Sequence, residues 1–235
     1  MALIKEIYIN PLLVDDSQKL KLSAFFSLFQ DIATENADMI GLGKSVITDK
    51  GLDWIIMRVK VEFYGEIKHG DKVNLYTYPG ELRNGFIFVR YGGINDLKGK
   101  PLCKITSLWG LIDNKSRRMV LKTTLPYPCE TMNDNPLPFP DRIPVEEVEK
   151  VYSKTMRYSD CDLNGHVNNT KYIDMICDTF PLDFYINHMI SGININYLSE
   201  LHDGDNVDIC VSVDKTYIEG RVNDKPSFSA KIKFN

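Results

Sequence analysis

Apolar and polar positions alternate along much of this chain, and one stretch of that alternation occurs twice. The first copy reads Val59-x-Val61-x-Phe63-Tyr64-Gly65-Glu66-Ile67-x-x-Gly70-Asp71-x-Val73. The second reads Ile193-x-Ile195-x-Tyr197-Leu198-Ser199-Glu200-Leu201-x-x-Gly204-Asp205-x-Val207. Apolar, Glu and Gly-Asp positions coincide at one offset, which chance rarely gives over this length. The alternation around Gly-Asp predicts two antiparallel strands joined by a turn in each copy, with Gly supplying the unusual backbone angle. Downstream, Val207, Ile209, Val211 and Val213 share one strand face, and Phe228, Ala230, Ile232 and Phe234 share another.

Upstream of each copy the period changes to 3.6 residues. Leu22, Phe25, Phe26, Phe29, Ile32, Ala33, Ala37 and Ile40 form one helix face, with Ser23 as its expected cap and Gly41 as its stop. Tyr172, Ile173, Ile176, Cys177 and Phe180 form a shorter face, capped by Asn168 or Asn169 and ended by Pro181. Between the halves, residues 121–145 hold six of the eleven prolines, a density that fits neither helices nor central strands and predicts an extended linker. The pattern therefore predicts an α+β chain with a domain at 1–120, a linker at 121–145 and a domain at 146–235. Each domain is expected to be a long helix followed by antiparallel strands, and a sheet wrapped around the helix would bury both apolar patterns. Periodicity alone does not choose this over other α+β arrangements.

Composition narrows the partners. A length of 235 residues fits one large or two ordinary domains, and 43% hydrophobic residues suffice for a core. A net charge of −4 gives no electrostatic footprint for nucleic acid, so an acidic partner needs a local basic patch. The best local cluster is Lys115, Arg117, Arg118 and Lys122, extended by Arg83, although such a cluster is more often a solvated turn. The five cysteines are scattered without a C-x-x-C, which points to a reduced compartment with neither a disulfide framework nor a zinc site. No signal-peptide pattern opens the chain, and no apolar run approaches the ~18 residues of a spanning helix. The expectation is a cytoplasmic protein with no membrane segment.

The densest polar cluster is Arg157-Tyr158-Ser159-Asp160-Cys161-Asp162-Leu163-Asn164-Gly165-His166-Val167-Asn168-Asn169-Thr170-Lys171-Tyr172. Asp162, Asn164 and His166 fall at two-residue intervals between a strand and a helix, a spacing that can point all three the same way. The residues alone leave a turn-capping role open. The segment Asp-x-Asn-x-His-Val-Asn-Asn-x-x-Tyr resembles the active-site motif of acyl-acyl carrier protein (acyl-ACP) thioesterases. Its broader form, Tyr-x-Asp-x-Asp-x-x-Gly-His, is similar to that of single-hotdog acyl-CoA thioesterases. The acyl-ACP resemblance extends through Gln30-Asp31-Ile32-Ala33, Gly51-Leu52-x-Trp54-Ile55-Ile56-x-Arg58, Ser107-Leu108-Trp109-Gly110-Leu111-Ile112-Asp113 and Arg117-Arg118, and covers roughly the whole chain.

That resemblance implies a tandem hotdog fold, acyl-ACP as substrate and partner, and no cofactor. It implies a catalytic set of Asp162, Asn164, His166 and Glu200. Plant members often carry a cysteine after that Glu; here the residue is Leu201, which offers no nucleophile, and Leu201→Ala is expected to keep turnover. The expected chemistry is water attack on the thioester, with Glu200, oriented by His166, as base and Asp162 as the rival base. Asn164, or backbone N–H groups near Gly165, Val167 and the start of the second helix, would hold the oxyanion. By family analogy the first half lines the acyl slot, with Phe25, Phe26, Phe29 and Met39 as candidates, all of which also read as core residues. Asp162, His166 and Glu200 match no usual zinc spacing, so no metal is expected, and His69, His188 and His202 show no partner pattern. Two alternatives stay open: an acyl-CoA thioesterase, and a non-catalytic acyl-binding hotdog protein. Monomer and homodimer both remain compatible.

Overall fold

The alternating segments become ten strands. The structure is a computed structural model, and it describes residues 1–121, 123, 125–130 and 136–235. The first half contains β1 (Leu3–Tyr8), α1 (Leu22–Met39), α2 (Lys44–Asp49), β2 (Leu52–Phe63), β3 (Lys72–Arg83), β4 (Ile87–Asp96) and β5 (Pro101–Asp113). The second contains β6 (Glu149–Thr155), α3 (Asn169–Cys177), α4 (Phe184–Asn187), β7 (Ile190–Tyr197), β8 (Asn206–Val211), β9 (Tyr217–Val222) and β10 (Lys225–Phe234). All strands join one antiparallel sheet in the order β1-β3-β4-β5-β2-β7-β10-β9-β8-β6. Each half is a helix set against five strands, the tandem hotdog arrangement.

The two copies of the repeat meet at the centre of this sheet. Val59 faces Ile195 and Val61 faces Ile193, so Lys60 stands opposite its own counterpart, Asn194. The halves are thus related by a local two-fold between β2 and β7. Within each copy, the strands flanking the Gly-Asp turn run antiparallel but do not pair with each other. β2 spends both edges on β5 and β7, so β3 finds its neighbours at β1 and β4 instead. Gly70 and Gly204 turn the chain at φ +88° and +87°, angles that glycine adopts without steric cost.

Helix boundaries follow local chemistry. α1 begins one residue ahead of Ser23, and Lys21 precedes it without a side-chain cap. Ser23 therefore lies inside the helix, where its carbonyl accepts from Ser27 Oγ at 3.0 Å. The chain leaves α1 through Ile40 and Gly41, the expected stop. Asn168 does cap α3, its Oδ1 accepting from Thr170 N at 2.9 Å. That helix has only nine residues and is not the long helix expected. Phe180 lies beyond its end and stacks on Phe184 with centroids 4.7 Å apart.

The core is continuous across both halves. Phe25, Phe29 and Ile32 of α1 share one buried cluster with Ile173 and Ile176 of α3 and with Val59, Val61, Ile193 and Ile195 of the seam. Each such side chain contributes roughly 1.5–3 kcal/mol on burial. The described part of 121–145 contains neither helix nor strand. It lies along the first-half strands, where Thr106 Oγ1 donates to the Leu137 carbonyl at 3.0 Å and Glu130 N to the Pro79 carbonyl at 3.0 Å. Among the described residues no helix is long and apolar enough to cross a membrane.

Candidate active site

The Asp162–His166 segment is shaped by its own polar groups. Asp162 N donates to the His166 carbonyl at 2.8 Å, and Gly165 N donates to the Asp162 carbonyl at 3.0 Å. Gly165 takes φ +76° with open space where a Cβ would stand. Both carboxylate oxygens of Asp162 are turned onto this loop: Oδ1 accepts from Asn164 N at 2.7 Å and Oδ2 from Asn164 Nδ2 at 3.3 Å. Upstream, buried Asp160 fixes the approach, its Oδ2 accepting from Arg157 N at 2.9 Å and its carbonyl from Asn168 N at 2.8 Å.

The second copy of the repeat brings Glu200 to this loop. Its Oε1 lies 3.6 Å from His166 Nδ1 and also accepts from Arg117 Nη2. Arg117 reaches Asp53 Oδ2 through Nη1 at 3.3 Å. Glu200 Oε2 has no protein hydrogen-bond partner among the described residues. Lys44, at the start of α2, donates to Asn164 Oδ1. These groups open onto a cavity of about 580 Å³ between the halves. Its walls include Ala33, Thr34 and Ala37 of α1, with Trp54, Ile56, Phe88 and Trp109 of the sheet and Tyr127 of the connecting segment.

Asp162, Asn164, His166 and Glu200 therefore come together, while other expected participants do not. Phe25 packs edge-on against Phe26 and Phe63, at centroid distances of 6.0 and 5.6 Å. None of Phe25, Phe26, Phe29 and Met39 lines the cavity; the three rings are buried in the core, and Met39 is 53% exposed. The N–H of Val167 donates to the Leu201 carbonyl at 2.8 Å, and that of Gly165 is spent on Asp162. Both are engaged within the protein, which removes them as oxyanion donors. Arg117 leaves the basic cluster to pair with Glu200, while Lys115 and Arg118 stay on the exposed turn. Arg83 lies over the Phe139 ring at 3.9 Å, and Lys122 falls outside the described residues.

Leu201 is buried, and its N–H donates to Tyr172 Oη at 3.0 Å. Truncation to Ala at such a site costs about 2–5 kcal/mol of stability, so Leu201→Ala is a poor test of mechanism. Leu201→Met is expected to keep both fold and turnover, checked by melting temperature and kcat.

Sequence reasoning missed Lys44, placed Arg117 in the basic cluster and not beside Glu200, and left His202 without a role. Lys44 and Asn164 lie 120 residues apart, and Arg117 and Glu200 lie 83 apart, with no local pattern joining either pair. His202 did leave a signal, since in extended chain a residue two after Glu200 shares its side. Its ring meets that of His166 edge-on at 5.0 Å. His166, Glu200 and His202 each bring one ligand atom within 4.8 Å of the others, a set able to hold a divalent cation. Arg117 already places positive charge on Glu200 Oε1, which opposes one.

Cys161, next to the loop, and the more distant Cys177 and Cys103 are poor nucleophiles, and no cysteine lines the cavity among the described residues. Cys161 has its pKa raised by desolvation and by the carboxylates of Asp203, Asp160 and Asp162. Burial raises that of Cys177 to about 12 and that of Cys103 well above the usual thiol range. The thiolate is the reactive form, and these settings disfavour it.

Residues 6–123 match the family model of the acyl-ACP thioesterase N-terminal domain, and residues 145–233 match that of the C-terminal domain. The chain is 24% identical over 206 residues to the chloroplastic acyl-[acyl-carrier-protein] hydrolase FATB3 of Cuphea viscosissima, a match covering 76% of this chain and 47% of that protein. It is 26% identical over 213 residues to the chloroplastic dodecanoyl-[acyl-carrier-protein] hydrolase of Cinnamomum camphora, covering 80% and 53%. The chain thus spans about half the length of these curated relatives. The crystal structure of an acyl-ACP thioesterase from Bacteroides thetaiotaomicron superposes with a TM-score of 0.90 at 24% identity, covering 100% of this chain and 98% of that one.

Proposed function

The chain belongs to the acyl-ACP thioesterase family, and from that premise we propose that it hydrolyses fatty acyl-ACP to the free acid, ending fatty acid synthesis, with water as the nucleophile. The observation that carries this reading is the split use of the Glu200 carboxylate. Oε1 is held by Arg117, with His166 Nδ1 3.6 Å away, and Oε2 has no hydrogen-bond partner among the described residues on a side chain that lines the cavity. Glu200 takes a proton from water through Oε2, and the resulting hydroxide attacks the thioester carbonyl. Asn164 Nδ2 spends one N–H on Asp162, so its other N–H, with Lys44 Nζ beside it, is available to the oxyanion. Collapse expels the phosphopantetheine thiolate, which recovers the proton from Glu200. Asp162 serves as the strut of the loop. Its two oxygens are already bonded to Asn164, which leaves Glu200 the better placed base.

In this reading residues 146–235 supply the catalytic set and residues 1–120 the acyl slot, with walls at Ala33, Thr34, Ala37 and Ile56 in place of the phenylalanines. Arg118 and Lys115 offer positive charge to the acidic carrier, and the setting is the cytoplasm. The test is kcat/KM for one acyl group presented on carrier protein and on CoA. The carrier form is expected to be the better substrate; the reverse ranking would make this an acyl-CoA thioesterase. Binding of acyl-ACP without hydrolysis over a chain-length panel would make it a binding protein. Cys161→Ser is expected to leave kcat unchanged, and capture of an acyl-cysteine adduct during turnover would overturn the water mechanism.

A further inference from the structure

Arg90 is a buried cation that the proposed hydrolysis does not use. It is 6% exposed and lies among the residues lining the cavity. Its Nη1 donates to Asn36 Oδ1 at 2.7 Å and to Thr77 Oγ1 at 3.2 Å. Nε and Nη2 have no hydrogen-bond partner among the described residues, and no carboxylate there forms an ion pair with Arg90. A buried charge is costly unless it is paired, and a guanidinium has no neutral form to retreat to near neutral pH. Nε and Nη2 keep contact with the cavity space, where an oxygen of a bound molecule can reach them.

The sheet register places Arg90 far from the reacting end. At the mouth, Asp53 pairs with Ile112 of β5; Arg90 pairs with Ser107, five residues further along that strand, or about 17 Å. Between these rows the wall is Trp54, Ile56, Phe88 and Trp109. The cavity is therefore polar at its mouth, apolar along its middle and cationic in its depth. A chain ending in a methyl group would strip water from the guanidinium and give nothing back, whereas an oxygen there would accept its free N–H groups.

We propose that Arg90 reads the far end of the acyl group, and that the preferred substrates carry an oxygen function, hydroxyl or carboxylate, at the end distant from the thioester. This rests on the thioesterase reading above. The test uses the full chain and acyl-ACP substrates from octanoyl to hexadecanoyl, each in methyl-terminated, ω-hydroxyl and ω-carboxyl form. At the length that reaches Arg90, kcat/KM is expected to favour an oxygen-bearing end by at least about tenfold, since a site built to hydrogen-bond rejects the analogue lacking the partner. Arg90→Met abolishes that preference and Arg90→Lys keeps part of it, with melting temperatures reporting whether each variant folds. If Arg90→Met does not fold, the parent's own ratio and Arg90→Lys decide. Methyl-terminated chains hydrolysed as well as their oxygenated counterparts at every length would overturn the proposal. Calorimetric binding of ω-hydroxy and unsubstituted fatty acids of equal length reads Arg90 without turnover. No hydrolysis of any substrate, with binding still favouring the ω-hydroxy acid, would sink the thioesterase reading alone; equal binding of the two acids would sink this one.

Discussion

Glu200→Gln lowers kcat by about 10²–10⁴-fold while leaving the protein folded, as expected for loss of a general base. Glutamine keeps the shape and one carbonyl oxygen for Arg117 but cannot take a proton from water. Glu200 and Arg117 are 38% and 40% exposed, and ion pairs this open contribute only about 0–1 kcal/mol. The melting temperature should therefore hardly move, which separates lost chemistry from lost structure. KM should change little, since Glu200 acts on the water and not on the acyl chain. A Glu200→Gln enzyme that retained parental turnover would remove Glu200 from the mechanism.

Asp162→Asn and Asp162→Ala are expected to differ sharply. Asparagine still presents an oxygen to Asn164 N and so preserves the turn, whereas alanine releases the loop and lets Asn164 drift. Asp162→Ala should cost about 10²–10³-fold in kcat, the loss typical of one oxyanion donor. Asp162→Asn should retain much of the parental rate. A base at position 162 would give a different result, because removing the charge would disable the enzyme in both variants. Measured side by side, kcat for the two substitutions assigns the roles of Asp162 and Glu200.

The parts of this molecule that were legible in the sequence are those fixed by local rules. The alternation around Val59 and Ile193 located β2 and β7, and the Asp162-x-Asn164-x-His166 spacing located the loop. Strand neighbours were not legible, because alternation says which residues face inward but not which strand lies alongside. Hence β2 and β3, adjacent in sequence, end up separated by two strands. The cavity wall was misread for a related reason. Periodicity marks the apolar face of α1 without separating filled space from open space. Large side chains such as Phe25 and Phe29 fill the core, while Ala33, Thr34 and Ala37 are small enough to leave room for a ligand. Lys44 and Arg117 reach the loop from the other half of the chain, and no local rule records such a meeting.

The two-fold at Lys60 and Asn194 bears on how small this protein can be made. Either half expressed by itself would carry β2 or β7 as a raw rim of unpaired amides beside uncovered valine and isoleucine, the kind of flank that recruits further chains into aggregates. It would also lose part of the cavity, because the groups that grip Asn164 and Glu200 and the loop that holds Asn164 belong to different halves. Both halves in one polypeptide are thus needed to pair β2 with β7 and to complete the cavity wall.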